Sequence, residues 1–408
     1  MSASPAPAGD AKRDQLKRLS VLIATAGIDQ LGFGMVLPIM PFYALNMKAS
    51  PEMIGAIIAS FSVAQLLASP IWGRVSDHYG RRPALLAGLI ASAAAFATFG
   101  LANAVWLLFA SRIIQGAGGG TTGVAQAYVA DTVAPGDRAR ALGWLSSATA
   151  VGLMIGPVLG SFAAHWGQAA PGLVAAALCL LNVVFAWKWL PESKPPSTLG
   201  ERSERKPLWH AAWVVVRHPS TPVNRLIWIY AAGMLGFTGM TSVLALFLGA
   251  DFGFNEKTIG YVFLYFSALS LVMRSVLLGT IVQRIGETGA MRAGTVALTL
   301  GLFLSPLATS LWVLAPIMAL VPIGTALLFP ATTALMSHAS VRAELGTTMG
   351  VAQTFAAVSR VIAPVVATSA FQRFGTGAPF YMAGGIVALV GVLAFRLTPV
   401  PRTAEGGS

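Results

Sequence analysis

Two ionisable side chains lie inside long apolar stretches of this sequence. Asp29 lies ten residues into a stretch that begins at residue 19, and Arg112 lies seven residues into one that begins at residue 105. If both stretches are membrane helices, these depths are roughly 15 Å and roughly 10 Å. A charge within a membrane is costly, so each residue is a functional candidate. Carboxylate and guanidinium groups in a low-dielectric medium suit proton uptake and release. An ion pair that only fixes helix packing is the structural alternative.

Arg274 and Arg360 also interrupt apolar stretches. Either side chain packs among neighbouring helices, with Arg274 extending toward the nearer membrane surface, or one of them binds an anionic group of a ligand. The sequence leaves both interpretations open, and with them the charge of the ligand.

Two further patterns combine glycine with charge or with proline. The first follows an apolar stretch and comprises Gly73, Asp77, Gly80, Arg81 and Arg82. The second lies inside an apolar stretch and comprises Gly152, Gly156, Pro157 and Gly160. Glycines at this helical spacing permit close helix approach, and proline permits a bend.

The elements that position these residues follow from the composition. Hydrophobic residues make up 55% of the 408-residue chain and charged residues 10%, against roughly 25% charged residues in an ordinary globular protein. So few charges cannot cover a soluble surface of this size, and lipid is the expected solvent. Apolar runs of roughly 20 residues suffice for a membrane helix. They predict twelve spans, numbered 1 to 12 in chain order: 19–43, 52–74, 83–103, 105–131, 138–163, 170–190, 222–250, 257–282, 290–308, 311–337, 344–371 and 377–397.

A proline-rich and charged segment divides these spans. The prediction is a tail at 1–18, a six-helix bundle at 19–190, a linker at 191–221, a second six-helix bundle at 222–397 and a tail at 398–408. Within the linker, apolar residues recur at helical spacing from Leu208 to Val216, which indicates a short interfacial helix.

Lysine and arginine predict the orientation. With both termini in the cytoplasm, most of the 27 lie on inner segments, and the outer loops hold only Lys48, Lys257 and Arg373. This bias is typical of a multi-pass protein of the cytoplasmic (inner) membrane. The net charge of +12 therefore predicts the lipid bilayer as partner, and no nucleic acid.

The two predicted bundles repeat each other. Gly143 and Pro157 in span 5 correspond to Gly350 and Pro364 in span 11, and the glycines that follow spans 2 and 8 correspond as well. Many secondary transporters are built from such repeats, with a ligand site between the halves near the bilayer midplane.

The chain resembles the major facilitator superfamily, in its drug:proton antiporter branch that includes the tetracycline exporters. The resemblance rests on the first glycine pattern after span 2, Arg112 with Gln115 and Gly116 in span 4, the glycine–proline pattern of span 5, and Asp29 with Gly32 in span 1. It implies an all-α fold of twelve transmembrane helices in two pseudo-symmetric bundles, a monomer, and proton-coupled export of small amphipathic compounds by alternating access. Residues 89–97 carry no charge, unlike the tetracycline exporters, which argues against tetracycline as the substrate.

The resemblance also implies roles. Asp29 and Arg112 are expected to pair and to couple protons to transport. A latch for the outward-facing state is expected from Gly73, Asp77, Gly80, Arg81 and Arg82. In it, Arg81 would pair with Asp131, and Asp77 would meet the start of span 11; membrane anchoring alone is the alternative. The span-5 residues are expected to form a gate.

Polar and soft apolar side chains in the spans complete the predicted site. The substrate cavity is expected to be lined by Phe33, Gln115, Gln126, Met154, Met234, Phe237, Tyr265, Phe355 and Arg360. The sequence predicts no enzyme, no cofactor and no metal, because no nucleotide-binding loop is present and the histidines lack ligand spacing. The alternatives are a dedicated metabolite, organic-anion or lipid transporter of the same fold, and a membrane receptor or scaffold that transports nothing.

Overall fold

The computed structural model describes residues 8–193, 208–340 and 344–395, with side chains from residue 15 in the first range and from residue 212 in the second. Every regular element in this part of the chain is a helix. The described part does not include residues 1–7 of the predicted first tail, residues 194–207 of the predicted linker, or the predicted tail at 398–408.

Fifteen α-helices follow one another along the described chain. The first eight are α1 Ala8–Val36, α2 Met40–Asn46, α3 Pro51–Tyr79, α4 Arg81–Gly100, α5 Val105–Gly119, α6 Thr122–Thr132, α7 Arg138–Ala163 and α8 Ala170–Trp189. The others are α9 Leu208–Arg217, α10 Pro222–Phe252, α11 Ile259–Val272, α12 Leu278–Leu304, α13 Leu311–Ala339, α14 Leu345–Phe374 and α15 Ala378–Phe395. A π-helix, Met273–Leu277, joins α11 to α12.

Ten helical stretches among the described residues are long and apolar enough to cross a membrane. Two departures account for the difference from twelve. Predicted span 4 divides after Gly119, where three successive glycines weaken the helix. Predicted spans 8 and 9 form one stretch, Ile259–Leu307, interrupted at Gly286 with φ 72° and ψ 170°. The predicted all-α membrane fold is thus confirmed.

Span 1 also differs from its predicted bounds. Its helix begins at Ala8, before residue 19, and ends at Val36, and α2 follows after a turn that contains Pro38. Proline lacks the N–H that would continue the helix ladder. The short helix expected near residue 208 forms as α9, Leu208–Arg217.

Large apolar side chains cover much of the surface. Trp312, Phe374 and Leu389 are 92%, 76% and 75% exposed. Apolar exposure on this scale is unfavourable in water and suits helices that contact lipid tails.

The described residues form two compact units. Unit 1 holds residues 8–50, 60–193 and 254–264, and unit 2 holds residues 51–59, 208–253, 265–340 and 344–395. In unit 1, α1 packs along α7 and α8, and α4 packs along α5 and α8; in unit 2, α12 packs along α13, and α10 along α14 and α15. Two helices pass from one unit to the other: α3 begins in unit 2, and α11 begins in unit 1. The proposed division at residues 191–221 stays a prediction.

Candidate functional site

Asp29 lies in the interior of unit 1, where α1 faces α4 and α8. Its carboxyl group interacts with the Ser92 hydroxyl of α4, and the Cys179 thiol of α8 lies within its electrostatic reach. The Oδ1 atom is buried and has no hydrogen-bond partner among the described residues. A buried, half-satisfied carboxylate is costly, and such groups are found at functional sites.

The backbone around Asp29 is fixed by the glycines of α7. A Cβ added at Gly156 would lie 2.5 Å from the Leu31 carbonyl oxygen and 2.8 Å from Gly34 Cα. A Cβ at Gly152 would meet the backbone of Gly27 and Leu31 in the same way. These contacts lie on both sides of Asp29 in α1. The glycine pattern therefore has a specific effect, which is to bring α7 against the helix turn that carries the carboxylate.

Gly160 continues this contact toward the end of the span. A Cβ there would lie 2.9 Å from Met35 Cα. A Cβ at Gly34 of α1 would lie 3.1 Å from Pro157 Cδ. All four predicted residues of the pattern thus pack on α1, as the sequence indicated for close helix approach.

Arg112 is also buried in unit 1, with 2% of its surface exposed. Its guanidinium carbon lies 6.0 Å from the centre of the Phe99 ring of α4, at the outer limit of a cation–π contact. Phe99 stacks in turn on Tyr43, with ring centres 5.3 Å apart. The Nε atom of Arg112 has no hydrogen-bond partner among the described residues.

Asp29 and Arg112 are not joined in this structure. Within the described chain, no ion pair of 4.0 Å or less links the two. Their contacts on α4, Ser92 and Phe99, are seven residues apart, which corresponds to roughly 10 Å along a helix. The expected direct pairing is therefore absent from the conformation described here.

A second set of charges meets where α3 ends and α4 begins. Arg81 donates from Nε to Asp131 Oδ2 at 2.9 Å and from Nη1 to Asp77 Oδ1 at 2.7 Å. It also donates to the Ser76 hydroxyl at 2.7 Å. The predicted pairing of Arg81 with Asp131 is confirmed. The side chain of Arg81 is only 9% exposed, so it links α3, α4 and α6 in a largely desolvated position.

Glu192 completes this network and was missed in the sequence. Its carboxylate accepts the backbone N–H groups of Arg81 at 2.8 Å and Arg82 at 3.0 Å. An acidic group at a helix N-terminus satisfies free N–H groups and complements the helix dipole. Gly80 has φ 100°, and a Cβ there would lie 2.5 Å from Glu192. Glycine is therefore required at this position.

The remaining residues of this pattern differ in their surroundings. The Arg82 guanidinium donates to the Trp187 carbonyl oxygen. A Cβ at Gly73 would meet nothing within 4 Å, so close packing does not explain that glycine.

The carbonyl oxygen of Pro157 contacts the start of α11 within unit 1. A Cβ at Gly260 would touch the Pro157 carbonyl oxygen. Ser161 accepts the Gly260 N–H at 2.9 Å and donates to the Glu256 carbonyl oxygen at 2.8 Å.

Unit 2 contains the counterpart of this contact. A Cβ at Gly55, at the start of α3, would lie 2.7 Å from the Pro364 carbonyl oxygen of α14. The same turn of α3 carries Glu52, whose Oε1 accepts from Arg373 Nε at 2.9 Å. The two repeats thus use matched glycine–proline contacts.

The predicted cavity residues of unit 1 occupy different environments. Phe33 packs against Phe61 with ring centres 5.3 Å apart. Gln115 is 4% exposed, whereas Gln126 is exposed and Met154 is half-buried.

In unit 2, Tyr230 occupies the centre of a cluster of polar side chains. Its hydroxyl accepts from Gln353 Nε2 at 3.5 Å, and its ring meets Phe329 edge-on at 5.2 Å. Arg274 and Arg360 both lie within electrostatic reach of this hydroxyl. Tyr230, Arg274, Gln353 and Arg360 are called the Tyr230 cluster below.

The other predicted cavity residues of unit 2 have separate surroundings. Phe355 meets Trp228 edge-on at 5.2 Å, and Tyr265 donates to the Ala315 carbonyl oxygen at 3.0 Å. Met234 and Phe237 are half-buried. Tyr230 and Gln353 were missed, although each is a polar residue within an apolar span.

The described chain offers no obvious metal centre. No group of three His, Cys, Asp or Glu side chains in residues 8–193, 208–340 and 344–395 is placed to bind a metal ion.

Comparison with known proteins bears on the whole chain. The family model of the Major Facilitator Superfamily matches residues 22–304 and 226–408. Tetracycline resistance protein class C of Escherichia coli is 30% identical over 368 residues, which cover 86% of this chain and 89% of that protein. Multidrug resistance protein 2 of Bacillus subtilis (strain 168) is 27% identical over 376 residues, covering 91% and 92%.

Solved structures share the fold. The crystal structure of the human organic anion transporter MFSD10 (TETRAN) superposes with a TM-score of 0.66 at 23% identity, covering 93% of this chain and 99% of that one. At this identity the likeness concerns the fold alone.

Proposed function

The chain belongs to the major facilitator superfamily, in the branch that contains tetracycline and multidrug resistance proteins, and from this premise we propose that it is a proton-coupled exporter of small amphipathic compounds. It works by alternating access as a monomer. It is placed in the cytoplasmic (inner) membrane with both termini in the cytoplasm, as its inside-positive charge distribution favours.

The observation that carries this proposal is the environment of Asp29. Its buried carboxyl group, with Oδ1 unpartnered, lies on a turn of α1 that is packed between two glycines of α7. A proton carrier needs an ionisable group within the membrane that changes its exposure during the cycle. Because the α7 glycines contact α1 on either side of Asp29, a movement of α7 would be transmitted directly to this carboxylate.

Arg112 serves as the second charge of the coupling machinery. It is buried, and its Nε is unpartnered. In the proposed cycle, it approaches Asp29 in a conformation other than the one described here, and favours the ionised carboxylate there.

The Arg81 network serves as the latch. Arg81 binds Asp77 and Asp131 at once, so it can stabilise one arrangement of α3, α4 and α6 against another. Simple anchoring by positive charge would not require two carboxylates at this distance.

Transport in reconstituted vesicles tests this function. With a pH indicator inside and an aromatic cation such as ethidium added, transport driven by an imposed pH gradient and accompanied by proton movement is expected. Transport that proceeds unchanged without a proton gradient would contradict the coupling, and binding without any transport would favour a receptor or scaffold.

A second candidate function is transport of organic anions. It is favoured by Arg274 and Arg360, which lie in the spans with no carboxylate of the described chain within 4.0 Å. A solved structure with the same fold is described as an organic anion transporter. Lipids and anionic metabolites fall within this alternative.

A further inference from the structure

Unit 2 carries two positive charges in the middle of its spans. Arg274 follows the start of α11 by fifteen residues, and Arg360 follows the start of α14 by the same number. Each therefore lies roughly 22 Å from the start of its helix at 1.5 Å per residue. An arginine at the centre of a membrane helix is costly, so each of the two is a candidate for a functional role.

No acidic side chain of unit 2 offsets these charges within the described chain. Three of its carboxylates in that part have other partners, and the fourth precedes a helix. Glu52 binds Arg373, Asp251 accepts from Thr376, Glu287 lies 3.7 Å from His338, and Glu344 precedes α14. The Arg274 side chain is exposed and that of Arg360 is half-buried, and two mid-span arginines without an acid are unusual, because ionisable residues within membrane spans are normally paired.

The local helix geometry at Arg274 is also unusual. Arg274 lies within the π-helix Met273–Leu277. π-Helical turns are rare, and those that proteins contain frequently lie at functional sites. Such an irregularity weakens a helix, so its presence at one of the two arginines is a second, independent indication of a site.

The two arginines converge on one neutral polar residue. Both lie within electrostatic reach of the Tyr230 hydroxyl of α10, and Tyr230 is 8% exposed. Gln353, two helical turns before Arg360 on the same face of α14, donates to the Tyr230 hydroxyl at 3.5 Å. The cluster therefore offers two guanidinium groups, an amide and a hydroxyl from three spans.

Apolar rings border these donors. Phe329 packs edge-on against Tyr230, and Phe355 packs edge-on against Trp228, whose buried indole N–H has no acceptor within the described residues. Donors next to aromatic surface suit a ligand with one anionic group and an apolar body.

We propose that the Tyr230 cluster is a binding site for organic anions, in which Arg274 and Arg360 bind the carboxylate or sulfonate of the transported compound. This inference rests on the proposed transport function and specifies its substrate class. Arginine fits the task because its planar fork binds carboxylates through two parallel hydrogen bonds.

A binding assay on the full-length purified chain tests the site. The probes are fluorescein and dansylglycine, which are aromatic carboxylates, and ethidium, an aromatic cation; fluorescence anisotropy gives the affinities. Arg274→Gln and Arg360→Gln should each weaken carboxylate binding by about tenfold or more, because each removes a charge-assisted hydrogen bond. Binding of ethidium should be unchanged or tighter.

Lysine variants and a control substitution at a third arginine show whether a loss of carboxylate binding is specific to the site. Arg274→Lys and Arg360→Lys retain the charge without the fork, and should bind carboxylates more tightly than the glutamine variants. Arg284→Gln, an exposed arginine beyond the π-helix, should bind both probe classes as the unchanged chain does. If both glutamine variants keep full carboxylate affinity, or if the unchanged chain binds neither carboxylate, the anion site is refuted.

The assay separates this inference from the proposed function, because it uses no proton gradient. Arginine-dependent carboxylate binding without any proton-driven transport would leave the site in place and refute the coupled exporter. Proton-driven transport of ethidium without arginine-dependent carboxylate binding would support the coupled exporter and refute the anion site.

Discussion

Asp29 and Arg112 contact the same helix two turns apart and do not pair with each other. Asp29 interacts with Ser92, and Arg112 lies beside Phe99, both on α4. The roughly 10 Å between these positions exceeds the length of an ion pair. A transport cycle in which these two charges pair directly must therefore bring α1 and α5 closer together along α4.

The packing of α7 on α1 leads to a stability prediction. Gly156→Val should lower the stability of the protein by about 1–3 kcal/mol or more, because its new atoms meet the backbone of α1 and cannot be accommodated by a side-chain rotation. Thermal unfolding in detergent, followed by size-exclusion chromatography, measures the effect.

The matched control lies on the same helix. Gly143 has no atom within 4 Å of an added Cβ, and Gly143→Ala should be neutral or stabilising by up to about 1 kcal/mol. Equal melting temperatures for the two variants would show that the α7–α1 contact is not tight.

The Arg81 network leads to a prediction that separates a latch from an anchor. Arg81→Ala removes the hydrogen bonds to Asp77 and Asp131 and should destabilise the protein by about 1–3 kcal/mol, with slower transport. Transport rates and melting temperatures are measured together in the same preparation.

Arg74 provides the comparison, since it is exposed on the last part of α3 and carries the same charge. Arg74→Ala should have little effect on either quantity, as expected for a surface charge. If both variants behave alike, the arginines act only as positive anchors.

The contact between the start of α3 and the end of α14 predicts a cross-linking result. Cysteines at Glu52 and Arg373, in a Cys179→Ala background, should be joined by a short bismaleimide, because the native side chains are 2.9 Å apart and partly exposed. If α3 and α14 move apart during the cycle, the cross-linked protein should lose most of its transport.

A second cysteine pair serves as the control for cross-linking itself. Asp251 Oδ2 and Thr376 Oγ1 are also 2.9 Å apart, and both residues lie on segments wholly within unit 2. A cross-link there should leave transport intact. Unchanged transport after cross-linking positions 52 and 373 would argue against movement at this contact.

Much of the fold was predictable because lipid imposes a simple rule on sequence. Long apolar runs located the spans, and the places where the prediction failed have local causes. Three successive glycines, Gly118 to Gly120, divided one span, and Gly286 redirected the chain without ending the helical stretch. The pairing of Arg81 with Asp131 was predicted correctly as part of the latch that the family resemblance implies.

Long-range contacts were less predictable. Glu192 caps α4 from 111 residues away, and no local pattern indicates such a contact. The separation of Asp29 from Arg112 depends on how α1 and α5 are rotated against α4, which spacing alone does not determine. Tyr230 and Gln353 did carry a signal, as polar residues inside apolar spans, but their proximity to Arg360 required the helix packing.

The most direct test of the central claim is proton-driven export by an Asp29→Asn variant. The asparagine keeps the size of the side chain and removes the ionisable group, so the protein should insert and fold normally. In vesicles with an imposed pH gradient, uphill transport and the accompanying proton flux should both be abolished, whereas Asp137→Asn, at the exposed start of α7, should retain both. Full uphill transport by the Asp29→Asn variant would contradict proton coupling through this residue.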